Sequence, residues 1–370
     1  MSEELLLNHY LAYRAGRSFV FSNYTWSDSR AQYTYFDGKP IPSRIPLSVL
    51  IDGPTAGMPF VSDPHAPTAI GKEYWDEICP HPRVIRNDDV VAPLGQEPTA
   101  EALIERWTEV LQGTADPCVE VAQDSAAIFD YLLFGDPKRL LDAWPAFSQS
   151  PVLREFRWSP LIELAFDVNR ETVSPSRALE PFMSRTPDVH STMAERYSVL
   201  PGLLALHIRR GDYSHHCKHL VKHSSTYTGY SSFPSLPDKF VPPNGDHKTR
   251  EKEYWRHCLP DIEQIVRRVA EVRRTPAGQS LRSVYVMTNG PAEWVEELKD
   301  ALYGMGRWTS VASSRDLVVN AEQQYVKQAV DMLIGQRAQV FIGNGFSSLT
   351  GQVVMLRMAS GIDPETNRFW

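Results

Sequence analysis

The residues best suited to chemistry lie in one short polar segment that directly follows an apolar run. Residues 203–206 read LLAL and residues 207–213 read HIRRGDY. A guanidinium is always charged and fork-shaped, so it grips a phosphate through two parallel hydrogen bonds. Side chains alternate along a strand, and those at the carboxyl end of a parallel strand face the crevice where ligands bind. We therefore predict that Arg209 holds an anion such as a pyrophosphate, with Arg210 as the second candidate.

Three other interpretations of this segment stay open on the residues alone. The arginines could pair with carboxylates in a structural ion network. Residues 210–212 spell RGD, the tripeptide read by adhesion receptors, although short motifs often match by chance. A zinc site is the third, because seven of the eleven histidines lie between positions 207 and 257, with Cys217 among them. The neighbouring residues His215, His216 and Cys217 suit tetrahedral zinc poorly, so we assign no metal ligands.

A second candidate anion site is the loop between a predicted strand and a predicted helix near the C-terminus. The strand is expected over 339–342, and the loop 343–348 reads GNGFSS before a helix with apolar residues at 349, 353, 354 and 356. Backbone N–H groups at a helix N-terminus, together with the hydroxyls of Ser347 and Ser348, can bind an anion. A serine at this position can equally be an N-cap, and both roles can hold together.

Asp331 lies between two apolar residues of a helix predicted over about 321–336. A carboxylate at the edge of an apolar stripe can simply face solvent. The alternative is a ligand contact, since guanine offers a planar pair of donors, N1–H and N2–H₂, that a carboxylate accepts together.

Alternating strands and helices in the C-terminal half predict a parallel sheet covered by helices on both faces. In this half we expect helices over 254–273 and from Pro291 to about 302, a strand over 283–288, and an irregular Ser- and Pro-rich loop over 224–249. In the N-terminal half we expect helices over 3–15, 100–111 and 125–134, a strand over 18–21, and a Pro-rich stretch with few periodic signals over 40–98. The predicted boundary near 197–202 gives an acceptor-side domain 1–198 and a nucleotide-binding domain 199–370.

Composition excludes several classes of protein. With 370 residues and 42% hydrophobic residues the chain can bury a large core. A net charge of −7 argues against a nucleic-acid partner, whose binding surface would be basic. The sequence has no apolar stretch long enough to cross a bilayer, and its first residues are unlike a signal peptide. Its four cysteines include no C-x-x-C pair, and Asn23-Tyr24-Thr25 is a weak hint of a secretory compartment.

Taken in order, the arginine segment and the stretch VFIGNGFSS at 340–348 resemble the GDP-fucose-dependent fucosyltransferases that share a His-x-Arg-Arg motif. These are the alpha-1,6-, alpha-1,2- and protein O-fucosyltransferases, and the likeness is strongest to a divergent fungal branch. The resemblance covers roughly the C-terminal domain. It implies a GT-B architecture, in which two Rossmann-like α/β domains face a cleft and the C-terminal domain holds most of the nucleotide.

The resemblance also implies roles for individual residues. Arg209 matches the arginine that contacts the β-phosphate and assists departure of GDP, and Asp212 matches an acidic position important for activity. The other residues implied in donor binding are His207, Arg210, Asp331, Asn344, Phe346, Ser347 and Ser348. Among them, His207 and Asp331 would recognise guanosine, and Phe346 would pack on the base. Ser347 and Ser348 would lie at the N-terminus of the helix that binds the phosphates.

The reaction implied is inverting transfer of L-fucose from GDP-fucose to a glycan or protein acceptor. It needs no metal and no cofactor, and no D-x-D motif stands where it could carry manganese. Two features depart from the family. No acidic residue follows Asp212 within ten positions, so the general base is unassigned. The Gly-rich loop after a first strand is also absent, because the chain opens on a predicted helix.

From that opening we expect an N-terminally truncated enzyme that binds GDP yet transfers little fucose. The full-length form would reach the ER or Golgi lumen through an upstream membrane anchor or signal. Two alternatives stay open: a non-catalytic module that binds a nucleotide or sugar, and a transferase that uses another nucleotide sugar. Cys217 and Cys258 bracket the irregular loop, and we predict a disulfide between them in an oxidising compartment, the alternative being two buried thiols.

Overall fold

The computed structural model describes residues 2–27, 29, 31–36, 39–175, 187–211 and 213–370. The chain forms two compact units. The first comprises Met1–Glu163, Asp188–Met193 and Ala321–Val326, and the second Leu164–Pro187, Ala194–Asn320 and Lys327–Trp370. The boundary that we expected between residues 198 and 199 therefore falls inside the second unit.

The elements of the first unit are short. Its helices are α1 (Ser2–Arg14), α2 (Lys72–Ile78), α3 (Asn87–Val91), α4 (Ala100–Gln112), α5 (Tyr131–Gly135), α6 (Pro137–Leu140), α7 (Trp144–Phe147) and α8 (Pro151–Arg154). Its strands are β1 (Val20–Phe21), β2 (Tyr24–Thr25), β3 (Tyr33–Phe36), β4 (Lys39–Pro42), β5 (Arg44–Ile45), β6 (Ile51–Asp52), β7 (Ile70–Gly71), β8 (Arg83–Ile85), β9 (Val119–Val121) and β10 (Arg157–Trp158). Within the described residues they pair two by two: β1 with β7 and β8 with β9 in parallel, and β2 with β5, β3 with β4, and β6 with β10 antiparallel.

The helix predicted over 125–134 in this unit is wrong in its first half. Residues 125–130 form bends and irregular chain, and α5 begins only at Tyr131. The reason is local, because the Asp130 side chain accepts a hydrogen bond from the backbone N–H of Leu133 at 2.8 Å and so starts the helix there. The helix expected over 100–111 is confirmed as α4, with Thr99 as its N-cap.

The second unit alternates strands with longer helices. Its helices are α9 (Pro160–Val168), which begins in the first unit, α10 (Arg170–Val173), α11 (Met193–Arg196), α12 (Tyr213–His223), α13 (His247–Cys258), α14 (Ile262–Arg273), α15 (Ala292–Gly304), α16 (Lys327–Arg337) and α17 (Ser348–Ala359). Its strands are β11 (Leu200–Ile208), β12 (Ser283–Thr288), β13 (Ser310–Ser313), β14 (Ala338–Gly343) and β15 (Asn367–Phe369).

These five strands form one parallel sheet in the order β13-β12-β11-β14-β15. The prediction of a parallel α/β sheet is confirmed. Its apolar core joins strand residues to two covering helices, α14 and α15; the buried members include Leu204, Leu206, Val284, Val286, Val340, Ile342, Ile265, Val269, Leu298 and Leu302. The β-branched and leucine side chains of the strands fit a sheet face that helices cover.

Two helix boundaries differ from the sequence prediction. The helix expected over 254–273 is two helices, α13 and α14, separated at Leu259-Pro260-Asp261. Pro260 has no backbone N–H to continue a helix, and Asp261 forms a capping box with Gln264 that starts α14. The helix expected from residue 321 begins at Lys327, after a single 3₁₀ turn over Gln323–Tyr325.

All four cysteines are paired, and the predicted Cys217–Cys258 disulfide is confirmed. It joins α12 to α13 and closes the irregular loop between them, with both cysteines fully buried. A second disulfide joins Cys79 to Cys118 in the first unit, beside the β8–β9 pair.

We expect replacement of both Cys217 and Cys258 by alanine to lower the free energy of unfolding by about 3 to 4 kcal/mol, because the unfolded chain regains the entropy of an open loop. Urea denaturation under non-reducing conditions measures the change. The wild-type protein with and without reductant is the control, although reduction also opens the Cys79–Cys118 disulfide. A loss below about 1 kcal/mol would show that this bridge adds little to stability.

Candidate active site

The sheet has a switch point between β11 and β14. From β11 the chain moves outward to β12 and β13 on one side, and then returns to β14 and β15 on the other. In open α/β sheets ligands bind outside the carboxyl ends of the strands at such a reversal. His207 and Arg209 stand at this end of β11, and the loop 343–347 stands at the same end of β14. The fold thus brings the two segments singled out from the sequence to one place.

Arg209 follows the last residue of β11 and is partly buried. Its guanidinium lies 5.0 Å from the centroid of the Tyr213 ring, at the start of α12. A cation above an aromatic face is held by the ring quadrupole, so the tyrosine orients the arginine at the strand end.

Arg210 turns to different partners, as alternation along the strand predicts. Its guanidinium lies 4.1 Å from the Trp294 ring and donates a hydrogen bond to the Pro260 carbonyl. Its backbone N–H donates to the Asn289 side chain at 2.8 Å. Burial lowers the pKa of Arg210 to about 10. These contacts give Arg210 a packing role, and its expected contact with the donor stays a prediction. Asp212 lies outside the described residues.

His207 is 3% exposed and links the two halves of the site. Its Nδ1 lies 2.7 Å from the Thr350 hydroxyl in the first turn of α17. Burial, and then the nearby Arg209 charge, lower its pKa to about 3. The imidazole is therefore neutral at physiological pH and adds no charge to an anion site.

Ser347 is the N-cap residue of α17, yet its side chain makes no capping hydrogen bond. Ser347 is nearly buried, whereas Ser348 is exposed. The loop before them is fixed by Asn344, whose amide donates to the Cys258 carbonyl at 2.8 Å and whose oxygen accepts from the Phe346 N–H at 3.0 Å. The N-terminal N–H groups of α17 thus lie at the switch point on a rigid loop.

Two glycines permit this loop path. A Cβ at Gly343 would come within 2.4 Å of the Thr350 side chain, and one at Gly345 within 2.4 Å of the Tyr227 ring. Both contacts are too short for any side chain, so the loop and α17 can approach this closely only with glycine at these positions.

Phe346 is 4% exposed and packs within an aromatic cluster. Its ring centroid lies 4.9 Å from that of Tyr227, 5.0 Å from that of Phe240 and 5.7 Å from that of Tyr254. The Phe346 ring thus anchors the loop in this aromatic cluster. Stacking of the ring on the guanine base stays a prediction.

Asp331 faces the neighbouring strands rather than open solvent. Its carboxylate accepts hydrogen bonds from the Tyr285 hydroxyl at 2.6 Å and from the Ser314 hydroxyl at 2.9 and 3.0 Å. Burial raises its pKa to about 6, although both hydrogen bonds oppose that shift. The residue is only partly buried, but its carboxylate is bound by two hydroxyl groups and is not simply solvated. A carboxylate has about four acceptor positions, so this one keeps capacity for a further donor pair.

A sequence model of the GDP-fucose protein O-fucosyltransferase family matches residues 149–359, more than half of the chain. The chain belongs to this family. No curated protein sequence matches it.

Solved structures of POFUT1 have the same fold as this chain. One is a complex with GDP and another a complex with GDP-fucose. Each has a TM-score of 0.54 and 13% sequence identity to this chain, and the alignments cover 100% of this chain and 94% and 93% of those chains. The match along the whole chain confirms the predicted GT-B-like α/β fold.

Several residues that shape the site in this fucosyltransferase-family protein escaped the sequence analysis. They are Tyr213, Tyr227, Tyr285, Ser314, Thr350 and Trp370. Trp370 donates its indole N–H to the His207 carbonyl at 2.9 Å. One signal could have found Tyr285, because a tyrosine inside a continuously apolar strand needs a buried partner for its hydroxyl.

Within the described ranges, no three His, Cys, Asp or Glu side chains are grouped so that they could hold a metal ion. Nor does any described helix combine the length and the apolar composition that a membrane crossing requires.

Proposed function

We propose that this protein transfers L-fucose from GDP-fucose to a hydroxyl of a protein or glycan, with inversion at the anomeric carbon and without a metal ion. The observation that carries the proposal is the switch point, where a strand-end arginine and an open helix N-terminus occur together. Membership of the family and the GDP-fucose complex of POFUT1 support this donor for the site.

Arg209 is proposed to stabilise the leaving group. As the bond between sugar and phosphate breaks, negative charge grows on the β-phosphate and positive charge grows on the sugar ring. A fixed guanidinium therefore binds the transition state more tightly than the ground state and lowers the barrier. The N–H groups at the start of α17, with the hydroxyls of Ser347 and Ser348, would bind the remaining phosphate oxygens.

Asp331 is proposed to bind guanine through N1–H and N2–H₂. Its hydrogen bonds to Tyr285 and Ser314 hold the carboxylate in one orientation. We propose that His207 supports guanosine through its contact with α17, and that Asp212 orients Arg209 or the acceptor. The two disulfides suit an oxidising compartment such as the ER or Golgi lumen, which we propose as the site of action.

The proposal is tested by incubating the protein with GDP-fucose and measuring GDP release with and without candidate acceptors. Release that depends on Arg209 supports a transferase or hydrolase active at the switch point. Tight binding of GDP-fucose with no release under any condition would favour the non-catalytic module instead.

Activity is expected to survive chelation, because arginine and a helix N-terminus supply the positive charge that a metal provides elsewhere. Turnover is measured in EDTA and after addition of manganese. A manganese-dependent transferase of another family serves as the control for effective chelation. Loss of turnover in EDTA that manganese restores would contradict the metal-free mechanism.

A further inference from the structure

A separate cavity of about 720 Å³ lies in the second unit at the amino ends of the sheet strands. Among the described residues that line it, four are arginines and none is acidic; the arginines are Arg273, Arg274, Arg282 and Arg307. Arg282 directly precedes β12, whereas the proposed donor site lies beyond the other end of the sheet. A six-residue strand spans roughly 20 Å, so the two sites are distinct.

Three of these guanidiniums have no acidic partner among the described residues. Arg274, Arg282 and Arg307 make no side-chain hydrogen bond or ion pair with any residue in the described part of the chain. Neighbouring arginines of α14 behave differently. Arg267 pairs with Glu263 at 2.6 Å and Arg268 with Glu271 at 3.1 Å. In a chain with a net charge of −7, a concave surface with only positive charge is unusual.

Arg273 is held in place within the cavity. Its guanidinium donates to the Gly306 carbonyl at 3.1 Å and lies 4.4 Å from the centroid of the Trp308 ring. Burial, and then the charge of Arg307, lower its pKa. Arginines near helix C-termini can complement the helix dipole, and the Gly306 contact accounts for Arg273 in that way. Arg274 is the C-cap residue of α14, so the same explanation covers it. It does not cover Arg282 and Arg307.

Arg307 also has an unfavourable backbone conformation. Its φ is +69°, in the left-handed region, directly after Gly306 with the same φ. A side chain other than glycine or asparagine costs about 1 kcal/mol there. Such strained positions concentrate at functional sites. The arginine at this position therefore costs backbone stability instead of adding to it.

We propose that this cavity binds a sulfated oligosaccharide. Guanidiniums bind tetrahedral oxyanions through paired hydrogen bonds, and four of them around a wide opening suit a chain that carries several sulfate groups. Sulfated sugars also occur in the oxidising compartments where disulfides persist, whereas nucleic acids and cytosolic phosphoinositides do not. The site is independent of the donor site and would hold a glycan substrate, carrier or matrix close to the enzyme.

The test measures binding of a heparin-derived octasaccharide by calorimetry at moderate salt. The variant is Arg274→Gln/Arg282→Gln/Arg307→Asn, in which asparagine suits the left-handed backbone and should preserve stability. A matched variant, Arg44→Gln/Arg83→Gln/Arg154→Gln, removes the same charge from exposed arginines of the first unit.

We expect the cavity variant to bind the octasaccharide at least roughly tenfold more weakly than wild type, and the matched variant to stay within roughly threefold of wild type. The thermal stability of the cavity variant should be unchanged or higher. Desulfated octasaccharide should not bind, and saturating GDP should not compete. Equal weakening in both variants would overturn the proposal, since it would show attraction by overall charge. Equal binding of desulfated octasaccharide, competition by GDP, or tighter binding of single-stranded DNA than of octasaccharide would also overturn it.

Discussion

Replacing Arg209 by lysine is expected to lower kcat for fucosyl transfer by roughly 10²- to 10³-fold while leaving the fold intact. Lysine keeps the positive charge but loses the planar fork that binds two phosphate oxygens at once. It also loses part of the stacking on Tyr213, which lies 5.0 Å from the guanidinium. Steady-state kinetics with GDP-fucose, together with thermal unfolding, separate the loss of catalysis from a loss of folding.

The adjacent substitution, Arg210→Lys, is the matched control. Arg210 stacks on Trp294 and donates to the Pro260 carbonyl, so its replacement should cost about 1 to 2 kcal/mol of stability and change kcat only a few-fold. Near wild-type turnover in the Arg209 variant would remove that residue from the mechanism. An equal fall in both variants with unchanged thermal stability would instead support the donor contact expected of Arg210, whereas an equal fall with lowered stability would show that the segment acts through its structure.

Asp331→Asn is expected to weaken GDP binding by roughly ten- to hundred-fold, because a buried charged hydrogen bond contributes about 1.5 to 3 kcal/mol. The asparagine amide offers one acceptor oxygen instead of two, and its NH₂ group would face an N–H donor of guanine. The same change should raise the free energy of unfolding at pH 7 by about 2 kcal/mol, since it removes a desolvated charge. Calorimetry and urea denaturation measure the two effects.

The pH dependence provides a further check on Asp331. Its pKa is about 6 in the folded protein against an ordinary value of 3.8, so the folded state holds this proton more tightly than the unfolded state does. Ionisation of Asp331 therefore lowers stability as pH rises from about 4 to about 6. The stability advantage of the asparagine variant should appear across this window and vanish below it. GDP affinity of the wild type should fall as pH decreases through about 6.

Asp316→Asn is the matched control for this prediction. Asp316 lies near the same strand ends but pairs with Lys299 at 3.2 Å and accepts from the Ser313 N–H at 2.7 Å. Its replacement should lower stability and leave GDP affinity unchanged. Equal GDP affinity in wild type and Asp331→Asn would return Asp331 to a purely structural role.

The sequence predicts the central sheet well because its strands are short apolar runs with clear ends. The strand over 283–288 has the same bounds in the structure, and the strand at 339–342 differs by one residue at each end. Helix ends were less predictable. The break at Pro260 separates two segments with compatible periodicity. A proline just before the N-cap of a second helix does not by itself show where the first helix stops.

The hydrogen-bond partners of the site residues could not be predicted from the sequence, because they depend on the order of the strands in the sheet. The sequence suggested that Asp331 needs a donor, but β12 and β13 bring Tyr285 and Ser314 to it from 46 and 17 residues away. Similarly, His207 meets Thr350 only because β11 and β14 are neighbours in the sheet. Residue types could therefore indicate an anion site, whereas its buried supports required the fold.

The most direct test of the proposed donor site is a calorimetric titration of the wild-type protein with GDP and, separately, with UDP. Saturable binding of one GDP per chain, at least roughly tenfold tighter than UDP, is the expected result, because Asp331 can pair with guanine but not with uracil in the same way. The preference should disappear in Asp331→Asn. Equal affinities for the two nucleotides, or no binding of GDP, would contradict the assignment of this switch point as a GDP-fucose site.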